Sequence, residues 1–131
     1  MDSIGWVDLT VGDAAGVRDF YARVMGWRAE PVDMGGYADF NMCDPGTGAP
    51  AAGVCHARGP NAELPSVWMV YFKVADLDLS LAEVEGAGGT RLQGPRRAAG
   101  TRYAVVRDPA GAVFAVFEAA SEASDPPPAV P

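Results

Sequence analysis

The chain uses one strand–turn–helix pattern twice, and the second copy follows the first after a shift of 63 residues. The later copy opens with a β-branched and aromatic run at residues 67–74, which predicts a strand. Apolar residues then recur at helical spacing, and a Gly-Gly pair ends the predicted helix. The shift places Asp76 on Asp13, and both suit the cap position where a side chain accepts hydrogen bonds from free helix amides. A repeat of about half the chain predicts two modules of one fold.

Composition excludes several classes of partner. The 131 residues are enough for one domain with a proper core. A net charge of −7 argues against nucleic-acid binding. No apolar stretch approaches the length of a membrane span, no signal peptide is visible, and two cysteines make no disulfide framework. We therefore expect a cytoplasmic protein with neither a nucleic-acid nor a membrane partner.

Each module is predicted to have the order β-α-β-β-β. The first, at about residues 4–57, is predicted to contain strands at 4–11, 27–32, 37–42 and 51–56 and a helix at 13–25. The second, at about residues 67–118, is predicted to contain strands at 67–74, 90–93, 101–107 and 112–117 and a helix at 77–86. Residues 1–118 are thus expected to form a single domain, and the Pro-rich residues 119–131 predict a disordered tail.

Two stretches carry a resemblance to a known family. D-L-T-V-G-D leading into V-R-D-F-Y-A-R-V-M-G-W, and later R-D-P-A-G-A-V-F-A-V-F-E, resemble the vicinal oxygen chelate superfamily. That group includes glyoxalase I, bleomycin-resistance proteins, fosfomycin-resistance enzymes and extradiol dioxygenases. The resemblance covers about residues 4–118. It implies an α+β fold in which two tandem modules form a curled, open-barrel mixed sheet around a cleft, with the helices outside.

The resemblance also implies four positions where family enzymes hold a divalent metal through His, Gln or Glu. Counted from the same motifs, these positions carry Trp6, Gly53, Met69 and Ala115 here. None of these side chains offers the oxygen or nitrogen donors that a hard divalent cation needs. We therefore expect a metal-free member of the superfamily with no cofactor.

Strand alternation predicts what lines the cleft instead, because side chains two apart share a face. The first helix carries an apolar stripe at helical spacing, which consists of Val17, Phe20, Tyr21, Val24 and Met25. Val7, Leu9 and Val11 are expected to pack under this helix. The residues then expected to point into the cleft from the two first strands are Trp6, Asp8, Thr10, Met69, Tyr71 and Lys73. The predicted ligand-binding set is Trp6, Asp8, Gly53, Met69, Tyr71, Tyr103 and Ala115; the alternative is that these side chains plug the cleft.

Candidates for acid–base chemistry are few. Asp8 could act as a general base if it is desolvated, and Tyr71 or Tyr103 could donate a proton. An inward aspartate would equally suit a cationic ligand, so the choice between enzyme and binding protein stays open. His56 is the only histidine, and its place out of phase with Gly53 favours a surface or core-edge role. The five arginines within residues 91–107 favour a solvated strand edge and loop.

The two cysteines are predicted to be free. If the hairpin between the third and fourth strands closes with Met42 opposite Ala51, Cys43 and Cys55 lie about 16 Å apart along the strand. Disulfide geometry needs Cα atoms within about 7 Å of each other.

These observations favour a protein that binds a small organic molecule, with a sequestering, resistance or carrier role. The alternatives are a metal-independent lyase, isomerase or cyclase that uses Asp8 and tyrosines, and a non-catalytic interaction domain with a filled cleft. A homodimer is expected, because related chains of this size commonly pair and two-fold dimers are the commonest oligomers.

Overall fold

The computed structural model of the chain describes residues 4–98 and 100–118. The described residues form two compact units. The first module comprises residues 7–68, and the second comprises residues 69–118 together with residues 4–6. The predicted tail at 119–131 lies outside the described residues. Neither helix of the described part combines the length and the apolar character needed to cross a lipid bilayer.

The first module is a four-stranded mixed sheet with one helix. Its elements are β1 (Ile4–Val11, of which residues 4–6 belong to the second unit), α1 (Ala14–Met25), β2 (Arg28–Asp33), β3 (Ala38–Cys43) and β4 (Pro50–His56). The strands lie in the order β1-β4-β3-β2, with β1 and β4 parallel and the other two pairs antiparallel. A short 3₁₀ helix at Gly59–Asn61 follows β4.

Local chemistry sets both ends of α1. The Asp13 carboxylate accepts a hydrogen bond from the Gly16 amide at 3.0 Å, as the sequence predicts for a cap. Gly26 ends the helix at a φ of 71°, a left-handed conformation that glycine adopts without a Cβ penalty. The sheet face under α1 is apolar, and its core residues are Ala14, Phe40, Met42 and Val54, with Val11, Val17, Tyr21, Trp27 and Trp68 packed against them.

The apolar stripe of α1 is wider than the surface that this helix buries. Val17 and Tyr21 pack on the core. Phe20, Val24 and Met25 are exposed by 56%, 60% and 51%. A helix on one sheet face can bury only the part of its circumference that faces the sheet, so the remaining apolar residues point away from it.

The second module repeats the arrangement of the first. Its elements are β5 (Trp68–Lys73, of which Trp68 belongs to the first unit), α2 (Leu77–Gly86), β6 (Thr90–Ala98), β7 (Thr101–Arg107) and β8 (Val113–Glu118). The strands lie in the order β5-β8-β7-β6, and β5 and β8 are the parallel pair. Asp76 caps α2 by accepting a hydrogen bond from the Leu79 amide at 3.1 Å. The predicted α+β class and the two tandem β-α-β-β-β modules are therefore confirmed.

Two predicted details are wrong. β6 does not end at Gln93 but continues to Ala98 through two register shifts, so the predicted Gly/Arg loop is an irregular edge strand. Gly94 permits this path at a φ of 90°, where an added Cβ would lie 2.9 Å from the Tyr103 carbonyl oxygen. The β3–β4 hairpin pairs Met42 with Ala52 rather than with Ala51, and a bulge follows between Met42 and Cys43.

Candidate ligand-binding site

The sheet face of the first module that lies opposite α1 carries a row of small and polar residues. Asp8 on β1 lies beside Gly53 on β4, and Gly53 lies beside Asn41 on β3. Residues directly opposite each other across paired strands share a face. With strands about 4.8 Å apart, Asp8 and Asn41 stand roughly 10 Å from each other. Gly53 has no side chain, so only its buried backbone lies between Asp8 and Asn41 in this row.

The same face continues one step along each strand. Thr10, Asp39 and Cys55 lie two residues from Asp8, Asn41 and Gly53 and therefore point the same way. We call these six residues the polar face. Asp8 and Asp39 are fully buried, and Thr10 is 3% exposed. Aspartate side chains are rarely buried to this degree unless they form a hydrogen bond or an ion pair.

Three polar atoms on this face lack a hydrogen bond within the described residues. They are the Thr10 hydroxyl Oγ1, the Asn41 carbonyl Oδ1 and the second carboxylate oxygen of Asp39, Oδ2. Buried polar atoms in folded proteins almost always have a hydrogen-bond partner. Their concentration on one sheet face indicates a surface suited to a polar ligand or to ordered water.

Asp39 is a site residue that the sequence analysis missed. Its Oδ1 accepts a hydrogen bond from the His56 amide at 2.9 Å and lies 3.2 Å from His56 Nδ1. The signal was present in strand A-D-F-N-M-C, where polar residues alternate with the apolar residues that face α1. Two polar side chains at the same phase in an otherwise apolar strand predict a polar face.

His56 is half-buried at the end of β4, as predicted for a core-edge histidine, and contacts the polar face through Asp39. Its side chain is 22% exposed, and its ring makes an edge contact with Tyr37 at a centroid distance of 5.5 Å. The Arg58 guanidinium lies 3.9 Å from the Tyr37 ring centroid. The contact with Asp39 gives His56 a structural role, because it anchors the end of β4 to β3.

The second module presents a different surface at the equivalent place. Tyr71 on β5 lies beside Ala115 on β8, and Ala115 lies beside Val105 on β7. Tyr103 lies close to Tyr71, with ring centroids 6.0 Å apart, and both residues are buried. We call this the aromatic face. Lys73, which was predicted to point inward, is exposed at the end of β5.

Trp6 and Met69 are both buried in the second unit, at 4% exposure. The Trp6 indole Nε1 has no hydrogen-bond partner among the residues that the structure describes. Beside Trp6, a Cβ added to Gly5 would overlap the Phe117 ring, so this aromatic ring packs directly on the β1 backbone. Whether Trp6 contacts a ligand or fills the interior stays a prediction.

The predicted ligand-binding residues are divided between the two units. Asp8 and Gly53 belong to the first module, and the other five belong to the second: Trp6, Met69, Tyr71, Tyr103 and Ala115. The common cleft that was predicted for them stays a prediction. The strand register nevertheless matches between the modules. Asp8 and Tyr71 correspond under the 63-residue repeat, and Asp8 pairs with Gly53 as Tyr71 pairs with Ala115.

The donor set does not fit a hard divalent metal. The four family positions carry an indole, no side chain, a thioether and a methyl group in Trp6, Gly53, Met69 and Ala115. Among residues 4–98 and 100–118, no group of three or more His, Cys, Asp or Glu could hold a metal ion. No chemistry is therefore assigned to a metal here.

Neither cysteine is placed to act as a nucleophile. Cys43 and Cys55 are buried and form no disulfide, as predicted. Burial, and then the nearby Glu30 carboxylate, raises the pKa of the Cys43 thiol. A raised thiol pKa favours the protonated form, which is not nucleophilic at neutral pH.

The arginines at 91–107 lie on β6 and β7. Arg102 donates to the Asp78 carboxylate at 3.0 Å, and this hydrogen bond raises the arginine pKa further. Arg91 lies 3.6 Å from Glu85. These ion pairs lie at the surface, so the predicted edge of solvated charges agrees with the structure.

Comparison with known proteins gives three kinds of match. Residues 6–117 match the family model of the glyoxalase-like domain. The anthracycline biosynthesis protein DnrV of Streptomyces peucetius is 36% identical over 128 residues, covering 86% of this chain and 45% of the relative. The putative glyoxylase CFP32 of Mycobacterium bovis is 30% identical over 104 residues, covering 79% of this chain and 39% of the relative. The chain thus spans less than half the length of these relatives.

Solved structures share the fold. A methylmalonyl-CoA epimerase variant of Streptomyces coelicolor, in complex with 2-nitronate-propionyl-CoA, superposes with a TM-score of 0.57. It is 18% identical, and the match covers 92% of this chain and 99% of the epimerase chain. At this identity the likeness concerns the fold alone.

Proposed function

The chain belongs to the glyoxalase-like domain family of the vicinal oxygen chelate superfamily, and we propose that it binds a small organic molecule on the polar face of its first module. The supporting observation is the row Asp8–Gly53–Asn41, together with unpaired polar atoms on neighbouring side chains. Carboxylates accept hydrogen bonds, whereas a threonine hydroxyl and an asparagine amide both donate and accept. Because Gly53 carries no side chain, this row leaves more room for a flat ligand than a larger residue at position 53 would.

The ligand class that fits best is a flat, polyhydroxylated aromatic compound. Its hydroxyl groups would donate to Asp8 and satisfy Thr10 and Asn41, while its ring would lie over Gly53. A relative named for anthracycline biosynthesis supports this class, because anthracyclines are such compounds. We propose a carrier, sequestering or resistance role that needs no metal. The expected cytoplasmic location belongs to the same proposal.

Titration calorimetry with a hydroxylated anthraquinone tests the binding proposal. Asp8→Asn replaces the carboxylate acceptor with an amide, and Gly53→Val places a branched side chain between Asp8 and Asn41. We expect each change to weaken binding by about tenfold or more, since one lost hydrogen bond to a charged group costs about 1.5–3 kcal/mol. Glu63→Gln, at an exposed position, is the matched carboxylate-to-amide control and should leave affinity unchanged.

Two results would contradict the proposal. One is equal affinity in the wild type, Asp8→Asn and Gly53→Val. The other is about one equivalent of metal per chain by elemental analysis, with chelation lowering the melting temperature; it would overturn the metal-free assignment.

The second candidate function is a metal-independent lyase, isomerase or cyclase. The complete burial of Asp8 favours it, because a desolvated carboxylate is a stronger base than a solvated one. In that case the bound compound would be converted, and Asp8→Asn would abolish turnover. Product analysis by mass spectrometry after incubation with the bound compound distinguishes this enzyme from a binding protein.

A further inference from the structure

A histidine, a tyrosine and an arginine lie close together at the end of β4. The Tyr37 ring centroid is 5.5 Å from that of His56 and 3.9 Å from the Arg58 guanidinium. The Arg58 amide donates to the His56 carbonyl at 2.9 Å, so a tight turn holds these two residues beside each other. Arg58 is exposed and His56 is partly exposed, so both can meet a molecule from solution.

Asp39 determines which nitrogen of His56 can take up a proton. Its Oδ1 lies 3.2 Å from His56 Nδ1. A carboxylate only accepts hydrogen bonds, so Nδ1 carries the hydrogen in this contact, and in the neutral ring Nε2 carries the lone pair. The same Oδ1 accepts from the His56 amide at 2.9 Å, which fixes the carboxylate relative to the ring. The contact therefore has a chemical consequence as well as a structural one.

Aromatic packing restrains the His56 ring further. Tyr37 meets it edge-on, at an interplanar angle of 84°. Phe40, a core residue under α1, lies 6.3 Å from it between ring centroids. A ring held by a carboxylate and by two aromatic neighbours needs little rearrangement before it exchanges a proton.

Arg58 is the cation available beside this ring. The other arginine nearby is Arg18, which lies 4.6 Å from the Phe40 ring centroid and forms a 2.9 Å ion pair with Asp19. Arg58, by contrast, forms no ion pair with the residues that the structure describes. A guanidinium next to a base stabilises negative charge that develops on an oxygen during proton removal.

We infer that His56 is an acid–base residue, whose Nε2 takes a proton from a carbon acid while the negative charge moves onto an oxygen beside Arg58. An enolisable carbonyl compound is the substrate class. The C–H bond breaks, its proton bonds to Nε2, and its electron pair forms the enolate. Return of the proton to another carbon gives an isomer. Loss of a leaving group with its electron pair gives an elimination product, and the imidazolium then releases its proton to solvent.

This inference goes beyond the binding proposal and does not depend on it. Asp39 uses Oδ1 for His56, whereas the atom that lacks a hydrogen bond among the described residues is Oδ2. It also assigns the base to a different residue from the one considered above. Asp8 is fully buried, whereas the His56 side chain is 22% exposed, so a substrate reaches His56 more readily.

Elimination of nitrobenzisoxazole tests the inference. Removal of its acidic C–H proton breaks the N–O bond and releases a coloured phenolate, so the rate reports proton transfer directly. We expect His56→Gln to lower kcat/KM by about tenfold or more, since a positioned base typically contributes at least about a hundredfold. Glu63→Gln, at an exposed position, is the control and should leave the rate unchanged. A wild-type rate no higher than that of His56→Gln, or a rate that only Asp8→Asn abolishes, overturns the inference.

Chemical rescue separates the loss of a base from a loss of folding. Millimolar free imidazole should restore part of the rate in His56→Ala and should not raise the rate of Glu63→Gln by the same factor. Thermal melting of each variant accompanies the assay. A folded His56→Ala that imidazole does not rescue, together with an unchanged rate in His56→Gln, rejects His56 as the base.

The positioning role of Asp39 has a spectroscopic readout. His56 is the only histidine, so nitrogen NMR shows a single imidazole. We expect the hydrogen on Nδ1 in the wild type, and a shift of the hydrogen toward Nε2 together with an elimination rate about tenfold lower in Asp39→Ala. Asp39→Asn keeps an oxygen acceptor and should retain the wild-type tautomer. A tautomer shift in Asp39→Ala without a change in rate would leave Asp39 with a structural role alone.

Discussion

The two modules of this protein share a topology and differ in what they bury away from their helices. In both, the first and fourth strands are parallel neighbours, and an aspartate caps the helix. The corresponding rows are Asp8–Gly53–Asn41 in the first module and Tyr71–Ala115–Val105 in the second. The first row is polar and has a glycine without a side chain in the middle. The second row is mostly apolar and has an alanine methyl group there.

This difference shows which part of the repeat is constrained. On the helix side, both modules need an apolar surface to bury, and both retain one. No helix of the module packs on the opposite side of the sheet. Side chains on that side can therefore differ between the modules without changing the helix–sheet packing. In our proposal, the polar face recognises ligand and the aromatic face supplies stability.

The largest expected effect concerns Tyr71. Tyr71→Ala empties a fully buried aromatic position and should lower the free energy of unfolding by about 3–5 kcal/mol. Asp8→Ala, at the corresponding position, removes less side-chain volume, so we expect a smaller loss of unfolding free energy than for Tyr71→Ala. Urea unfolding of both variants measures the contrast. Equal losses would show that the two faces contribute alike to stability.

An intermediate effect is expected at Asp39. Asp39→Ala leaves the His56 amide without its acceptor and should cost about 1–3 kcal/mol of unfolding free energy. Asp39→Asn keeps an oxygen acceptor in the same place and should cost less. Thermal melting of the two variants compares them. If Asp39→Ala is as stable as the wild type, Asp39 does not stabilise the end of β4, and its role would be in ligand binding or in positioning His56 only.

The smallest effect tests the likeness of the modules rather than their difference. Asp13→Ala and Asp76→Ala each remove one cap hydrogen bond, of 3.0 and 3.1 Å, and should each cost about 1 kcal/mol. The caps lie in separate units, so the double variant should show the sum of the two losses. Calorimetric melting of the three variants provides the values. If only one of the two substitutions lowers the free energy of unfolding, the two caps do not contribute equally to stability.

Much of the fold was predictable because its signals are local. Strand runs, cap aspartates and helix-ending glycines lie within a few residues of the structure that they determine, and α2 has the predicted bounds at Leu77–Gly86. The β6 extension was missed because Gly94 and Pro95 indicate a loop locally. Pairing with β7 on both sides of this irregularity keeps the segment in the sheet.

The candidate site was predicted only in part. Alternation along β1 placed Asp8 and Thr10 on one face, since the period of a strand is fixed by its backbone. Asp39 and Asn41 were missed because their relation to Asp8 depends on the register of three strands. The predicted hairpin paired Met42 with Ala51, whereas the structure pairs it with Ala52. A register error of one residue changes every pair along the β3–β4 ladder.

By itself, the sequence determined the duplicated β-α-β-β-β order and the helix caps, because these depend on residue type and short spacing. Only the tertiary structure decided that Asp39 joins Asp8 on a buried polar face and that Phe20, Val24 and Met25 remain exposed. Burial depends on which elements pack together, and apolar periodicity alone cannot state how much of a helix its sheet will cover.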